Sequence, residues 1–167
     1  STIVDLTVDP PAILRPGGIS AEALEKVLGL VNTGQALDPD QAPKAPGMKY
    51  RHYVPSVPVY LLDEGRLAEE VDEVLKGQGD KQIGFLLSDE LIGALPVVNA
   101  GIYLYNLGSH KQPDLAAQRL FSGLRYLDLQ EVDVMYAEPW EEKGIGVAIM
   151  NRMHKLALSY EEGNTCM

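Results

Sequence analysis

Residues 57–87, VPVYLLDEGRLAEEVDEVLKGQGDKQIGFLL, contain the pattern that decides the fold. The segment opens with an apolar run over 57–63 and closes with a second apolar run over 83–87. Short runs of this kind are typical of buried strands. Between them, residues 65–76 have apolar side chains at helical spacing and acidic side chains on the opposite side. The order strand, helix, strand indicates a βαβ unit, whose two strands are parallel.

The same alternation continues towards the end of the chain. Two further strands are predicted over 101–106 and 132–137, and two further helices over 113–127 and 145–160. The pattern over 91–98 is ambiguous. Nearly all the strands are apolar on both faces, so we expect helices on both sides of the sheet. We therefore predict a three-layer, Rossmann-like α/β domain with a mostly parallel sheet over residues 59–167.

Residues 32–58 are predicted to be an extended linker, because prolines interrupt them repeatedly and no apolar period is present. The linker also reverses the charge of the chain, since no acidic residue lies between Asp40 and Asp63. Its basic residues are Lys44, Lys49, Arg51 and His52. Such a segment is suited to lying across an anionic ligand, with Tyr53 offering a ring. A solvated connector is the other interpretation and the one that composition alone favours, because proline-rich connectors with a few charges are common.

Residues 1–31 have the pattern of strand, turn, strand and helix. The apolar runs over 2–6 and 12–15 predict the strands, and Ser20 and Gly29 are a suitable N-cap and C-terminal residue for the helix. A segment this short cannot enclose a core of its own. Because the chain also opens inside a predicted strand, we expect these residues to be the edge of a larger domain whose N-terminal part is absent.

Composition excludes several classes of protein. The 167 residues are 46% apolar and have 14 basic and 24 acidic side chains, for a net charge of −10. Such a chain repels polyanions over most of its surface, so any anion site must be local. No apolar run approaches the roughly 20 residues that span a bilayer, and no leader is present, so we expect a soluble cytoplasmic protein. One cysteine, Cys166, and three histidines without ligand spacing predict neither a disulfide nor a metal site.

Doubly wound sheets bind ligands at the carboxyl ends of their strands. The loop after the third strand of the predicted domain has Gly108, Ser109 and His110, but the chain has no GxGxxG or P-loop pattern. We interpret Gly108 and Ser109 as a turn and a cap, and His110 as an exposed loop residue. Asp89 and Glu90 are interpreted as surface residues, because neighbours at the end of a strand point apart.

Several separated stretches resemble the two-domain form of the threonylcarbamoyl-AMP synthase family. PGMKYRHYVP at 46–55 resembles the linker between that family's YrdC-like catalytic domain and its C-terminal domain. LGSHKQPDLAAQRLFSGLRYLD at 107–128 and GIGVAIMNRMHKLA at 144–157 resemble parts of the C-terminal domain. STIVDL at 1–6 and ILRPGGIS at 13–20 resemble the closing strands of the YrdC-like domain.

The resemblance implies a function and a set of substrate contacts. Members of this family make threonylcarbamoyl-adenylate from L-threonine, bicarbonate and ATP, with Mg²⁺ accompanying ATP, and release pyrophosphate. The product serves the N6-threonylcarbamoyladenosine (t6A) modification of tRNA, so downstream tRNA-modification enzymes are implied partners. The family's contacts carry over to Ser1 for L-threonine and to Arg15 and Tyr53 for ATP. The Lys-x-Arg and Ser-x-Asn pairs of the family's catalytic domain are missing, which implies no catalytic residue here and no adenylate formation by this chain alone.

Two interpretations of the whole chain remain open. By the resemblance, residues 1–31 are the tail of a YrdC-like domain, 32–58 the linker, and 59–167 a C-terminal domain that closes with the linker over the nucleotide. The alternative is a non-catalytic α/β module that binds a nucleotide, tRNA or a partner protein near Gly108 and Ser109. Direct contact with tRNA and the state of association are open in both interpretations.

Overall fold

The computed structural model describes residues 1–33, 54–96 and 99–164. Its N-terminal part is an antiparallel hairpin of β1 (Ile3–Asp5) and β2 (Ala12–Arg15), followed by α1 (Ala21–Leu28). The Ser20 side chain accepts a hydrogen bond from the backbone N–H of Ala23, and Gly29 has a φ of 78° at the end of the helix. Both predicted boundaries of this helix are thereby confirmed.

The remaining elements form an α/β domain with a four-stranded parallel sheet flanked by helices. In chain order they are β3 (Val59–Leu61), α2 (Leu67–Lys76), β4 (Ile83–Ser88), α3 (Asp89–Ala94), β5 (Ile102–Gly108), α4 (Pro113–Leu129), β6 (Val134–Ala137) and α5 (Gly146–Asn164). The strand order is β3-β6-β4-β5, and each neighbouring pair is parallel. The predicted alternation of strands and helices is confirmed.

Two apolar clusters lie on opposite faces of the sheet, because neighbouring residues of β4 point in opposite directions. Leu86 packs with the buried residues of α4 and α5. Phe85 and Leu87 pack with those of α2 and α3. Helix α4 lies very close to the sheet at Gly123, where an added Cβ would be 2.6 Å from Leu86 Cδ2. Glycine is required there for this packing.

The segment over 91–98, ambiguous in the sequence, includes most of α3. This helix follows β4 without a loop, and the Ser88 hydroxyl caps it by accepting from the backbone N–H of Leu91 at 3.1 Å. Asp89 and Glu90 are therefore in the first turn of a helix, and their interpretation as the end of a strand was wrong. Their exposure to solvent was predicted correctly.

Candidate functional site

The hairpin brings together two of the three predicted substrate contacts, Ser1 and Arg15. Arg15 pairs with Ile3 in the hairpin register, and its Nε donates a hydrogen bond to the Ser1 carbonyl oxygen at 3.1 Å. The neighbouring hydroxyl of Thr2 donates to the Ile19 carbonyl at 2.8 Å and accepts from the Ile19 N–H at 3.0 Å. The start of the chain is thus held between β2 and the turn that follows it.

Gly17 makes this arrangement possible. A Cβ added at Gly17 would lie 2.3 Å from the backbone nitrogen of Thr2 and 2.4 Å from the carbonyl carbon of Ser1. Real Cβ atoms do not approach backbone so closely, so only glycine lets this turn pack flat against Ser1 and Thr2. Its neighbour Gly18 has no atom within 4 Å of such a Cβ. The two adjacent glycines therefore have different roles.

Helix α5 places two more cations near Arg15, and the three residues Arg15, Arg152 and Lys155 are called the cation cluster below. Burial lowers the pKa of the Arg152 guanidinium, and the charge of Arg15 lowers it further. Burial also lowers the pKa of Lys155, with smaller contributions from the charges of Arg152 and Arg15. Each of the three side chains is partly buried.

Sequence reasoning missed Arg152 and Lys155, since the helix predicted over 145–160 was assigned no ligand contact. Ile149, Met150 and Met153 of this helix are buried in the core. The available signal was the pair of cations three residues apart on an otherwise apolar helix. Tyr53, the third predicted contact, lies outside the described residues, as does most of the predicted linker.

A different group of polar side chains meets at the carboxyl ends of β4 and β6. Glu138 is 2% exposed and directly follows β6. Its carboxylate accepts from the Ser88 N–H at 2.6 Å and from the Ser88 hydroxyl at 3.0 Å. The Nε2 atom of His110 lies 2.8 Å from Glu138 Oε1, and the His110 ring packs on Trp140 with centroids 4.3 Å apart. His110 is exposed and lies in the turn between β5 and α4, as predicted, but its contact with Glu138 in the neighbouring loop was not predicted.

Carboxylates also occupy the loop between β5 and α4. Glu90 accepts from the Ser109 hydroxyl and from the backbone N–H of His110, and Asp89 accepts from the Asn106 amide. The Ser109 hydrogen bond is the largest cause that lowers the Glu90 pKa to about 2. Glu90 is therefore charged at neutral pH and already uses the donors that a phosphate would need. This edge of the sheet is unsuited to an anionic ligand.

A groove of about 620 Å³ lies elsewhere on the α/β domain, near the amino ends of β4 and β6. Tyr60, Tyr136 and Glu70 are among the residues that line it. The rings of Tyr60 and Tyr136 have centroids 5.8 Å apart, and burial is the main cause that raises the Tyr136 pKa. The groove is not at the carboxyl ends of the strands and none of its lining residues belongs to the cation cluster, so its volume alone assigns it no role.

Two general findings apply to the described ranges. Within 1–33, 54–96 and 99–164, no group of three or more His, Cys, Asp or Glu side chains is arranged to hold a metal ion. No helix in the part of the chain that the structure describes has the length and apolar character needed to cross a membrane.

The fold defines a class of protein, a four-stranded parallel α/β domain preceded by an antiparallel hairpin. A family model described as threonylcarbamoyl-AMP synthase, C-terminal domain, matches residues 19–157. The threonylcarbamoyl-AMP synthase of Pyrococcus abyssi is 38% identical, covering 93% of this chain and 44% of that protein. The Bacillus subtilis enzyme of the same name is 34% identical, and the match covers 94% of this chain and 44% of that protein.

A solved structure agrees with the sequence matches. The crystal structure of P. abyssi Sua5 complexed with L-threonine superposes with a TM-score of 0.75 and 36% identity, over 94% of this chain and 45% of that one. The chain belongs to the threonylcarbamoyl-AMP synthase family and is homologous to the C-terminal part of its members. It spans less than half the length of the curated relatives named above.

Proposed function

We propose that this chain acts as the C-terminal part of an L-threonylcarbamoyladenylate synthase in the t6A pathway. The complete enzyme would convert L-threonine, bicarbonate and ATP into threonylcarbamoyl-AMP and pyrophosphate, with Mg²⁺ accompanying ATP. Residues 1–31 would be the tail of the YrdC-like catalytic domain and 32–58 the linker. Residues 59–167 would be a three-layer, Rossmann-like domain that closes with the linker over the nucleotide. The two apolar clusters on opposite faces of the sheet support the three-layer arrangement.

The observation that carries the proposal is the juxtaposition of Ser1 and Arg15. The 3.1 Å hydrogen bond from Arg15 Nε to the Ser1 carbonyl holds the proposed ATP contact beside the proposed L-threonine contact. In the proposed reaction, a carboxylate oxygen of N-carboxythreonine attacks the α-phosphate of ATP while the bond to the β-phosphate breaks. Pyrophosphate leaves with that electron pair. A positioned guanidinium would stabilise the charge that develops on the phosphates.

The alternative, a nucleotide- or RNA-binding module at the carboxyl ends of the strands, has less support. Glu90 and Glu138 place two carboxylates at that edge, and both already accept hydrogen bonds from neighbouring loops. Phosphate groups would be repelled there. Arg15, the proposed ATP contact, lies in the hairpin and not at this edge, which favours the synthase interpretation.

Arg15→Gln and Tyr53→Ala test the proposal in the protein as its gene encodes it. The assay is ATP-dependent release of pyrophosphate in the presence of L-threonine and bicarbonate, together with the intact mass of the purified protein. We expect each variant to lower release by about tenfold or more, as loss of a charge-assisted or positioning contact to the phosphates should. Arg125→Gln, which removes an exposed cation from α4, is the matched control. Unchanged kinetics in both test variants would remove the proposed roles of the hairpin and linker.

The 167-residue chain produced by itself is expected to release no pyrophosphate, since it has no Ser-x-Asn pair and its one Lys-x-Arg sequence, Lys49-Tyr50-Arg51, lies in the proposed linker and not in a YrdC-like domain. The same assay checks this, with a gene product of about twice this mass as the positive control. Turnover by the 167-residue chain at the rate of the longer protein would contradict the expectation that the catalytic residues lie outside this chain.

A further inference from the structure

The two edges of the parallel sheet differ in how they are protected. At one edge, β3 has three residues and directly follows Pro58, which has no backbone N–H. Short strands and prolines are common means of keeping a sheet edge from pairing with another chain. At the other edge, β5 has seven residues, IYLYNLG, with no proline and no charged side chain. Among the described residues, no strand pairs with the outer side of β5, so this edge is open to pairing.

Alternate residues of β5 direct their backbone groups away from β4. The Gly101 carbonyl accepts from the Ile83 N–H at 2.8 Å, so residues 103 and 105, which have the same phase as 101, also bond β4. The residues that direct their N–H and C=O groups to the outer side are Ile102, Leu104 and Asn106. The Ile102 N–H donates to the Asn99 carbonyl at 3.3 Å. The backbone groups of Leu104, at the centre of the strand, are therefore the best placed to pair with another chain.

An exposed apolar surface on α4 continues this edge. Helix α4 lies over β5, since a Cβ added at Gly123 would be 2.6 Å from Tyr105 Cδ1. The rings of Tyr105 and Tyr126 have centroids 5.5 Å apart. Tyr126 and Leu129 are 39% and 80% exposed, and their separation of three residues puts them on one side of the helix. The outer side of β5 and these two side chains of α4 are called the β5 edge surface below.

Helices hold β5 in place from both faces of the sheet. On the face opposite α4, Ile92 and Leu95 belong to the same apolar cluster as Ile102 and Leu104. The Asn106 amide donates to the Asp89 carboxylate at the start of α3. A strand whose backbone is already ordered loses little conformational freedom when it pairs with a second strand.

The charge of the chain favours a second copy as the partner only at an uncharged surface. Two copies repel one another over most of their surface, because each has a net charge of −10. Strand β5 has no charged side chain, so antiparallel pairing of two β5 strands brings no like charges opposite one another. A two-fold axis at Leu104 would set Leu104 opposite its own copy and Ile102 opposite Asn106. The outward donors and acceptors of each strand would then meet those of the other.

A lone extended peptide fits the β5 edge surface less completely. Stable interfaces bury roughly 800 Å² on each partner, which is more than the edge of one strand offers. A second copy brings its own α4 alongside and covers Tyr126 and Leu129, whereas a peptide strand would leave Leu129 in water. The apolar surface of α4 thus favours a partner that has a helix beside its strand.

We propose that the β5 edge surface is a dimer interface, at which two copies of this chain pair their β5 strands antiparallel and pack their α4 helices together. The two sheets would become one continuous sheet whose ends are the two protected β3 strands. The inference uses none of the proposed substrate contacts, so it can be tested independently of the proposed function.

Sedimentation equilibrium of the protein as its gene encodes it, over about 1–100 μM, measures the state of association. We expect twice the mass of one chain at the upper end of this range. Tyr103→Lys and Leu129→Lys each bring two like charges together at the interface, and each should raise the dimer dissociation constant by about tenfold or more. Because Leu129 is highly exposed, Leu129→Lys tests the interface even where Tyr103→Lys disturbs the fold. Tyr60→Lys, which adds the same charge to the β3 edge, is the matched control and should leave the dissociation constant unchanged.

Hydrogen exchange gives a second measurement at the strand itself. The Leu104 N–H should exchange more slowly as the protein concentration rises, because pairing gives it an acceptor in the second copy. The Tyr105 N–H, which faces β4, should be equally protected at all concentrations and is the internal reference. In Leu129→Lys the dependence of Leu104 exchange on concentration should weaken together with dimerisation.

Three outcomes would overturn the inference. The first is the mass of a single chain at every concentration. The second is a dimer whose dissociation constant is unchanged in both Tyr103→Lys and Leu129→Lys, since the interface would then lie elsewhere. The third is strong protection of the Leu104 N–H that does not change with concentration, which would show that another segment of the same polypeptide covers the edge.

Discussion

The hairpin region, residues 1–33, and the α/β domain differ in how far their apolar side chains are buried. In α1 no residue is buried, and Val27 and Leu30 are 83% and 74% exposed. In β4 all six residues are buried, and Leu86 has no exposed surface. The region with the proposed substrate contacts therefore has little core of its own, whereas most of the buried apolar residues belong to the α/β domain. Most of the core and the proposed substrate contacts thus lie in different parts of the molecule.

A matched pair of leucine truncations tests this contrast most strongly. Leu86→Ala should lower the free energy of unfolding by about 2–5 kcal/mol, because it leaves a cavity between β4 and the helices α4 and α5. Leu30→Ala should change it by less than about 0.5 kcal/mol, as an exposed substitution does. Denaturant titration measures both. A comparable cost for Leu30→Ala would show that the hairpin region is covered in solution.

Glu138→Ala examines the carboxyl edge of the sheet. It leaves the Ser88 N–H and hydroxyl without their acceptor, so we expect a loss of about 1–3 kcal/mol of unfolding free energy. Glu138→Gln keeps one acceptor oxygen and should cost less. Neither variant should alter the affinity for ATP at a temperature where both are folded. Loss of ATP binding by folded Glu138→Gln would instead favour a ligand site at this edge.

Gly17→Ala and Gly18→Ala compare adjacent glycines in the hairpin region. The first places a Cβ against the Ser1–Thr2 peptide and should disturb the turn at a cost of about 1–3 kcal/mol, confined to the hairpin. The second meets no atom within 4 Å and should be nearly neutral. Hydrogen exchange at the Ile19 amide, which donates to Thr2 Oγ1, is the local measurement. Equal protection in both variants would show that the close contact is relieved easily.

The smallest expected effect is a pH dependence at Glu90. Its pKa is lowered from an ordinary 4.5 to about 2, chiefly by the Ser109 hydroxyl, so its stabilising effect is fully present above about pH 4.5. That effect is lost as the pH falls from 4.5 towards 2. Glu90→Gln should therefore reduce the dependence of the unfolding free energy on pH over this acidic range, as measured by denaturant titration at several pH values. Glu25→Gln, an exposed change in α1, should leave the slope as it was.

Sequence patterns were sufficient for most of the secondary structure, because apolar spacing is a local property. The βαβ order, the Ser20 cap and the strand over 83–87 all follow from neighbouring residues. Helix α3 stayed ambiguous because its six residues are too few to display a helical period. The misinterpretation of Asp89 and Glu90 followed from that ambiguity.

The contacts between distant residues could not be predicted in the same way. The pairing of His110 with Glu138 depends on which strand ends are neighbours, and the spacing of apolar residues does not determine strand order. The influence of the Arg15 charge on the Arg152 pKa depends on where β2 and α5 lie in the fold, which no local pattern encodes. Family resemblance named Ser1, Arg15 and Tyr53 as substrate contacts, but it did not indicate the cations of α5.

The strand order has a consequence for how the protein is made. Strand β6 lies between β3 and β4, although it is the last strand to leave the ribosome. Until residue 137 has emerged, β3 has no neighbour with which to form its ladder, and the sheet can exist only as the pair of β4 and β5. A nascent chain stalled before β6 would expose the edges of both, which favours pairing with other chains. The α/β domain is therefore expected to fold in one late step, when its final strand is inserted.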